Sequence, residues 1–444
     1  MKQFRKIIFW SHLLAGVIAG VVVFVMSVTG VLLAFEAQIT RLAERDQRTV
    51  QPPASGTPRL SPQALLAKVQ ADNPTLKPAG LTVEADPTAA VSVSLGRDGT
   101  LFVNPYTGAS LGTGSKGVRN FFHEITDWHR WLGAHGENRS VGRAITGACN
   151  AAFLFLAISG IYIWWPKKWT RQHLAAITLF RSGLKGKARD FNWHNVIGIW
   201  CVLVLIVLTA TGMVISYQWA NNLIYTITGS PRPGPPPGAG GPGPGGPGGP
   251  GGQGSPNAGS GQQRREGNPN AGGAGGPGPA ANQSGPSSSA QSQPVIPTNL
   301  DQLWQRAEQQ VSNWNVISLR LATSATAPVS FSIDDGTSWN PIGRSQLTLN
   351  QTTAEVVRWE PYVEYSLGRK LRLWVRTAHT GEAAGLPGQI VACVASLGGA
   401  FLVWTGIALS WRRFLAWKTK RAPQKSQVKK DEVEVTDLEP KTLA

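Results

Sequence analysis

At 444 residues with a formal net charge of +17, the chain is too long and too uneven in composition to be one small globule. The positive balance does not mark a nucleic-acid binder, because the basic residues sit beside apolar segments: three in residues 1–6, seven in 166–190 and eight in 412–430. Cys149, Cys201 and Cys393 each stand alone in an apolar segment, which argues against a disulfide framework or a cysteine metal site.

In chain order, residues 7–35, 144–165, 194–217 and 386–411 are long and apolar enough to cross a hydrocarbon core about 30 Å thick. The first follows Lys2, Arg5 and Lys6 but is far longer than a signal-peptide core, so it reads as an uncleaved helix. The three basic flanks fall on one side of a four-pass bundle, and the positive-inside rule makes that side cytoplasmic. The N-terminus (1–6), the basic loop (166–193) and the basic tail (412–444) then lie inside, and the longer segments lie outside. In the first outer segment, 36–117, "PRLSPQALLAKVQAD" predicts a short helix capped by Ser61 with Pro62 at its first position. The alternating runs "LTVEA", "AVSVSL" and "TLFVNPYTGASLG" predict a small antiparallel sheet. Residues 229–294, mostly Gly, Pro, Ser, Asn and Gln, predict a disordered linker. Order is expected to resume over 295–370, with the helix "TNLDQLWQRAEQQV" and the strands "VISLRLAT", "PVSFSIDD", "SQLTLNQ" and "AEVVRWEPY".

The apolar segments repeat. His12 precedes Gly16 and Thr29-Gly30 at the spacings by which His194 precedes Gly198 and Thr211-Gly212. Gly142 precedes Ser159-Gly160 as Gly388 precedes Thr405-Gly406. Any one match is ordinary helix packing in membranes. Four in register predict a parallel tandem repeat of one unit, helix–outer domain–helix.

An imidazole inside an apolar span is costly and implies a partner. Eighteen residues make five helical turns, so Gly30 shares a face with His12 about 27 Å along, and Gly212 likewise with His194. This stripe suits two stacked flat ligands, one ligated by His12 and His194, the other approaching the backbone closely at Gly30 and Gly212. Its own ligands are sought in the outer-face segments 118–143 and 371–385. If residues 119–132 are helical, His129 shares a face with Phe122, Ile125 and Leu132, whereas His123 aligns with Asp127 and Arg130, so His129 is the better placed; His379 stands alone in the second segment. Two histidines per flat cofactor inside a bundle is the b-type haem arrangement, whereas zinc would draw three or four ligands into one sphere. The expected cofactor is therefore haem b, two per chain, with His12, His194, His129 and His379 on iron. A single haem on either pair also fits these residues. Arg130, Arg143 and Arg376 suit haem propionates, and serve equally well as plain outer-face charges.

"LFVNPYTGASLG" resembles the closing strand and turn of the PepSY domain, and "WHRWL", "WHNVIG" and "AHTG" beside helices ending in Thr-Gly or Ser-Gly resemble the PepSY-associated transmembrane proteins. That family includes iron-regulated bacterial inner-membrane proteins and ferric-siderophore reductases with b-type haem. The resemblance implies a membrane α-helical fold: a four-helix transmembrane bundle with two small α+β PepSY-like periplasmic domains. It implies electron transfer across the cytoplasmic (inner) membrane from a separate cytoplasmic or quinone donor to a periplasmic acceptor, a ferric siderophore being favoured. The linker departs from the family pattern, and no flavin or NAD(P)H domain is fused. A second reading is a haem-free module whose outer domains bind a periplasmic peptidase or transport partner.

Overall fold

The computed structural model describes residues 2–54, 56–96, 99–166, 169–232, 294–336 and 342–421. The linker expected at 229–294 falls almost wholly outside the described residues, as does the tail beyond 421. The first half of the chain forms α1 (Lys2–Leu33), α2 (Glu36–Ala43), α3 (Arg45–Arg48), α4 (Pro62–Asp72), β1 (Gly80–Glu84), β2 (Val91–Ser94), β3 (Thr100–Val103), β4 (Ser110–Gly112), α5 (Lys116–Trp131) and α6 (Arg139–Trp164). After α7 (Arg171–Thr178) the second half forms α8 (Gly186–Ser216), α9 (Gln218–Ile227), α10 (Leu300–Gln310), β5 (Val316–Arg320), β6 (Val329–Asp334), β7 (Ser345–Leu349), β8 (Val356–Glu360), α11 (Leu367–Thr380) and α12 (Gly385–Arg421).

Helices α1, α6, α8 and α12 are long and apolar enough to cross a membrane, which makes this a multi-pass membrane protein in a lipid bilayer. They outrun the apolar segments that announce them, because helical hydrogen bonding continues past the hydrocarbon into basic flanks such as Lys2–Lys6 and Arg412–Arg421. Helix α1 packs against α6 and α12, and α8 packs against the same two, so α1 and α8 stand on one diagonal of the bundle. The start of α1 and the end of α12 lie on one side, where Arg413 covers Phe9 and Trp10, called here the terminal side. The strands lie on the other.

The strands depart from the expectation of two separate outer domains. They form one eight-stranded sheet in the order β4-β3-β2-β1-β5-β6-β7-β8. Each half is an antiparallel meander preceded by its helix, as the alternating pattern predicts, and Ser61 caps α4 by accepting from the Ala64 N–H. The halves join where β1 pairs antiparallel with β5 over five residue pairs centred on Thr82 and Ser318, whose hydroxyls meet at 3.0 Å. Gly80 is required at this seam, since a Cβ would lie 2.6 Å from the Leu319 carbonyl oxygen. An unpaired strand edge exposes a row of N–H and C=O groups, and joining the halves removes two such edges. The cores merge as well: Leu65, Leu66 and Val69 of α4 and Leu300, Leu303 and Trp304 of α10 share one apolar cluster with the inward residues of both halves. The Gln63 N–H donates to Asp301 Oδ1 across the two helices at 2.8 Å.

A buried carboxylate ties the sheet to the bundle. Glu44, fully buried between α2 and α3, accepts from Arg48, from Arg119 of α5 and from the Ser115 N–H, while Arg48 also lies over the ring of Phe102 in β3. Burial alone would raise the Glu44 pKa, but the Arg119, Arg48 and Ser115 hydrogen bonds outweigh it and hold the carboxyl below its usual range. Because the folded pKa is depressed, the stabilisation is present at neutral pH and is lost as pH falls through the folded value. Glu44→Gln leaves two guanidinium groups without their anion. It is expected to cost about 3 kcal/mol and to flatten the acid limb of the stability profile, measured by thermal unfolding in detergent between neutral and acid pH.

Candidate functional site

Four imidazoles meet four Ser/Thr-Gly pairs, each across a helix–helix interface. His12 Nδ1 of α1 lies 2.8 Å from Ser159 Oγ of α6, with its Cε1 3.6 Å from where a Cβ on Gly160 would stand. His194 Nδ1 of α8 lies 2.9 Å from Thr405 Oγ1 of α12, with Cε1 at the same 3.6 Å from a Cβ on Gly406. On the sheet side, His129 Nδ1 of α5 lies 2.9 Å from Thr29 Oγ1 of α1, and His379 Nδ1 of α11 lies 3.1 Å from Thr211 Oγ1 of α8. A Cβ on Gly30 would stand 3.6 Å from Cε1 of His129, an ordinary contact, and one on Gly212 would stand 3.3 Å from Cε1 of His379 and 3.1 Å from Asn150 Nδ2. The close approach expected at Gly30 and Gly212 is thus to an imidazole edge, and it is tight only at Gly212.

The hydroxyls fix the tautomer. Thr29, Thr211 and Thr405 donate to the carbonyls of Val25, Val207 and Phe401 one turn back, at 2.7, 2.6 and 2.8 Å, and Ser159 donates to Leu156 at 3.3 Å. With its proton so used, each oxygen can only accept, and Nδ1–H donates to it. A backbone carbonyl adds a second acceptor for three rings: Met26 for His129, Leu208 at 2.9 Å for His379 and Leu402 for His194. Each Nε2 therefore carries its lone pair and, among the described residues, has no hydrogen-bond partner in the protein. Desolvation, with the like charge of His379 second, pushes the His129 pKa down to about 4, and desolvation lowers His379 too. Neutral imidazole is the form that binds a metal.

The histidines come together in two pairs. The rings of His129 and His379 have centroids 6.2 Å apart. Two metal–imidazole bonds of about 2 Å each plus two ring radii of about 1 Å span roughly 6 Å, so the separation is that of two imidazoles on one ion. His12 and His194 lie on the α1–α8 diagonal within electrostatic reach of each other, about 26 Å along α1 from Thr29. Among the described residues no three His, Cys, Asp or Glu side chains converge on a point, so each pair offers two ligands and no more. The rivals of His129 lie elsewhere: His123 and His135 are exposed beside the buried carboxylate of Asp127, at 3.9 and 3.6 Å, with Arg139. Arg130 lies within electrostatic reach of Arg143 and Arg376: burial first, then their like charge, pulls its pKa below the usual range against the opposing carboxylate of Asp127.

Sequence reasoning found the glycines without their purpose. A Cβ on Gly142 would overlap the Trp131 carbonyl at the end of α5, and one on Gly388 would overlap the Gly381 carbonyl at the end of α11. These helices end in left-handed residues, Leu132 (φ 55°) and Gly381 (φ 80°), within three positions of His129 and His379. Their backbones can lie flat on α6 and α12 only where the side chain is missing.

Fold and site define a multi-pass membrane protein whose helical bundle carries four histidines, each held by a hydroxyl of a neighbouring helix. The chain belongs to the family of the PepSY-associated TM region, whose model matches residues 9–413 and so takes in all four spanning helices and the whole sheet. Comparison with curated protein sequences gives no significant match.

Because the obstacle at Gly142 and Gly388 is backbone, neither can be relieved by a side-chain rotation. Gly142→Ala and Gly388→Ala are each expected to lower the unfolding temperature by several degrees, about 1–3 kcal/mol, and to loosen His129 and His379 respectively. Hydrogen exchange of α5 and α11 in the two variants checks this.

Proposed function

We propose that the protein is a b-haem electron-transfer protein of the bacterial cytoplasmic membrane that carries electrons outward to a periplasmic acceptor, a ferric siderophore. The observation that carries the reading is the set of four Nδ1-anchored imidazoles, of which His129 and His379 have ring centroids 6.2 Å apart. In this reading His12 and His194 hold one haem near the cytoplasm and His129 and His379 hold another near the periplasm. Bound haem supplies one-electron chemistry between ferric and ferrous iron.

The chain's own residues do the rest. Ser159, Thr405, Thr29 and Thr211 hold each ring in the ligating tautomer and raise its basicity. Arg130, Arg143 and Arg376 offer guanidinium forks to propionates at the outer site. The basic runs 1–6, 166–190 and 412–430 favour a cytoplasmic terminal side. The matching order of elements before and after α7 favours a parallel repeat, in which the joined sheet halves are PepSY-like modules that position the acceptor. A ferric siderophore suits the outer end because ferrous iron is held weakly by such chelators, so reduction releases it. The electron donor is separate, a cytoplasmic reductase or a quinol.

An optical spectrum of detergent-purified protein, oxidised and dithionite-reduced, tests this. Sharp reduced α-bands with two haems per chain are expected, with one haem lost in His12→Ala and the other in His379→Ala. A colourless protein made under ample haem supply sinks the conduit and leaves a haem-free interaction module.

The four anchors differ in strength. His379 keeps the Leu208 carbonyl when Thr211 is changed, whereas His12 has only Ser159 among the described contacts. Ser159→Ala is therefore expected to cost haem affinity toward the upper end of about ten- to a hundredfold, and Thr211→Val toward the lower end, measured by haem transfer to an apo-globin acceptor.

A further inference from the structure

On the terminal side, a cavity of about 580 Å³ opens between the loop after α7, α8 and α12. Phe180, Arg181, Arg189, Trp193, Ile197 and Phe401 line it. Three of these belong to the surroundings of one histidine. Trp193 precedes His194, Ile197 lies one turn beyond it, and the Phe401 carbonyl accepts from the Thr405 hydroxyl that holds the His194 ring.

The outer wall is fixed rather than loose. Asn192, buried on α8, accepts from the Arg181 N–H at 3.1 Å and donates to the Ala176 and Leu179 carbonyls at 3.2 Å, fastening the loop across the cavity mouth. Leu179 and Phe180 remain exposed beside Trp200, whose indole N–H donates to Thr178, so the rim is apolar and aromatic where the bundle meets the bilayer boundary. The walls are apolar too, and the charge inside is nearly spent. Arg189 is bound to Asp190 at 2.9 Å and lies over Trp193, and Arg412 takes the other Asp190 oxygen at 3.1 Å. Arg181 alone of the lining guanidinium groups has no carboxylate partner among the described residues.

We propose that this cavity binds a membrane quinol, the electron donor of the protein. A flat neutral ring with oxygen at its edge, carried on an apolar tail, matches aromatic walls, a lone guanidinium donor and a rim open to the bilayer boundary, and the volume is that of an ordinary small-ligand site. A phospholipid headgroup would instead demand several unpaired cations. The proposal rests on the haem reading for its purpose. Oxidation of the quinol to the quinone releases two electrons and two protons; the electrons leave one at a time toward the His12–His194 pair, and the protons leave to water at the terminal face.

Binding is tested on the full-length purified protein with the fluorescent quinol-site inhibitor heptyl-hydroxyquinoline N-oxide, independently of haem. One saturable site per chain is expected, displaced by decylubiquinone. Arg181→Ala, a loop change that leaves the helices intact, and Ile197→Trp, which fills the cavity, should each weaken it at least tenfold. Absence of saturable binding by haem-loaded protein overturns the proposal while leaving the conduit in place. So does displacement by cardiolipin but not by decylubiquinone, which makes this a lipid site, and so does wild-type binding by both variants. Saturable, quinone-displaceable binding by a protein that proves colourless supports the site and removes the conduit.

Discussion

The centre of the bundle depends on a hydroxyl whose proton is already used. A threonine or serine in a helix can donate to the carbonyl one turn back, and Thr29, Thr211, Thr405 and Ser159 all do. The remaining lone pair accepts only from a donor, so an imidazole brought against it must present Nδ1–H and turn its bare Nε2 away. Inside a bilayer no water is on hand to reverse the choice, and an unpaired polar group there is expensive. The following glycine lets the ring's Cε1 edge lie against bare helix backbone, 3.3–3.6 Å from where a Cβ would stand. Helix, hydroxyl and glycine together convert an ordinary packing motif into a holder for one tautomer.

The same economy governs the larger architecture. Every spanning helix carries a Ser/Thr-Gly pair that serves a histidine from a different helix. Helices α1 and α8 each supply a histidine near the terminal side and a hydroxyl near the sheet side. Helices α6 and α12 each supply a hydroxyl near the terminal side and, at Gly142 and Gly388, the flat landing on which α5 or α11 brings its histidine. No helix completes a pair by itself. The β1–β5 seam sets the same condition above the bundle, since neither half closes its own sheet edge.

Much of this was legible along the chain, and what was not has one cause. Apolar length gave the spans, alternation marked seven runs in which the eight strands lie, with β3 and β4 in one of them, and Ser61 with Pro62 marked the start of α4. The amphipathic reading of residues 119–132 set His129 and His123 on different faces, and one face of α5 meets helices while the other meets water around Asp127. The spacing of His12, Gly16 and Thr29-Gly30 was visible too, but periodicity within one helix says nothing about its neighbour. The ring that Gly30 accommodates is 99 positions away in sequence, and Thr82 meets Ser318 across 236. The Glu44 cluster was missed for a related reason: a lone glutamate in a short polar helix carries no mark of the two arginines that fold onto it.

Charge decides what such a site can hold. Two neutral imidazoles bring no compensation for a metal ion, and among the described residues no carboxylate or thiolate joins either pair. A bare dication there would sit nearly uncompensated in a medium where an unpaired charge costs many kcal/mol. A metal that arrives inside a dianionic macrocycle would bring its own neutralisation and would ask of the protein only the neutral imidazoles that each pair offers. The negative charge such a macrocycle still carries on its acid side arms must then be met where the bundle ends. At the sheet side that is where Arg130, Arg143 and Arg376 crowd together, although a cluster of like charges is unfavourable by itself. Asp127 answers part of that charge, and an acid side arm would answer more. The same bookkeeping that disfavours a free ion in the bundle therefore gives the arginines a purpose, and it links the two halves of the proposed haem, iron and side arms, to different residues of one protein.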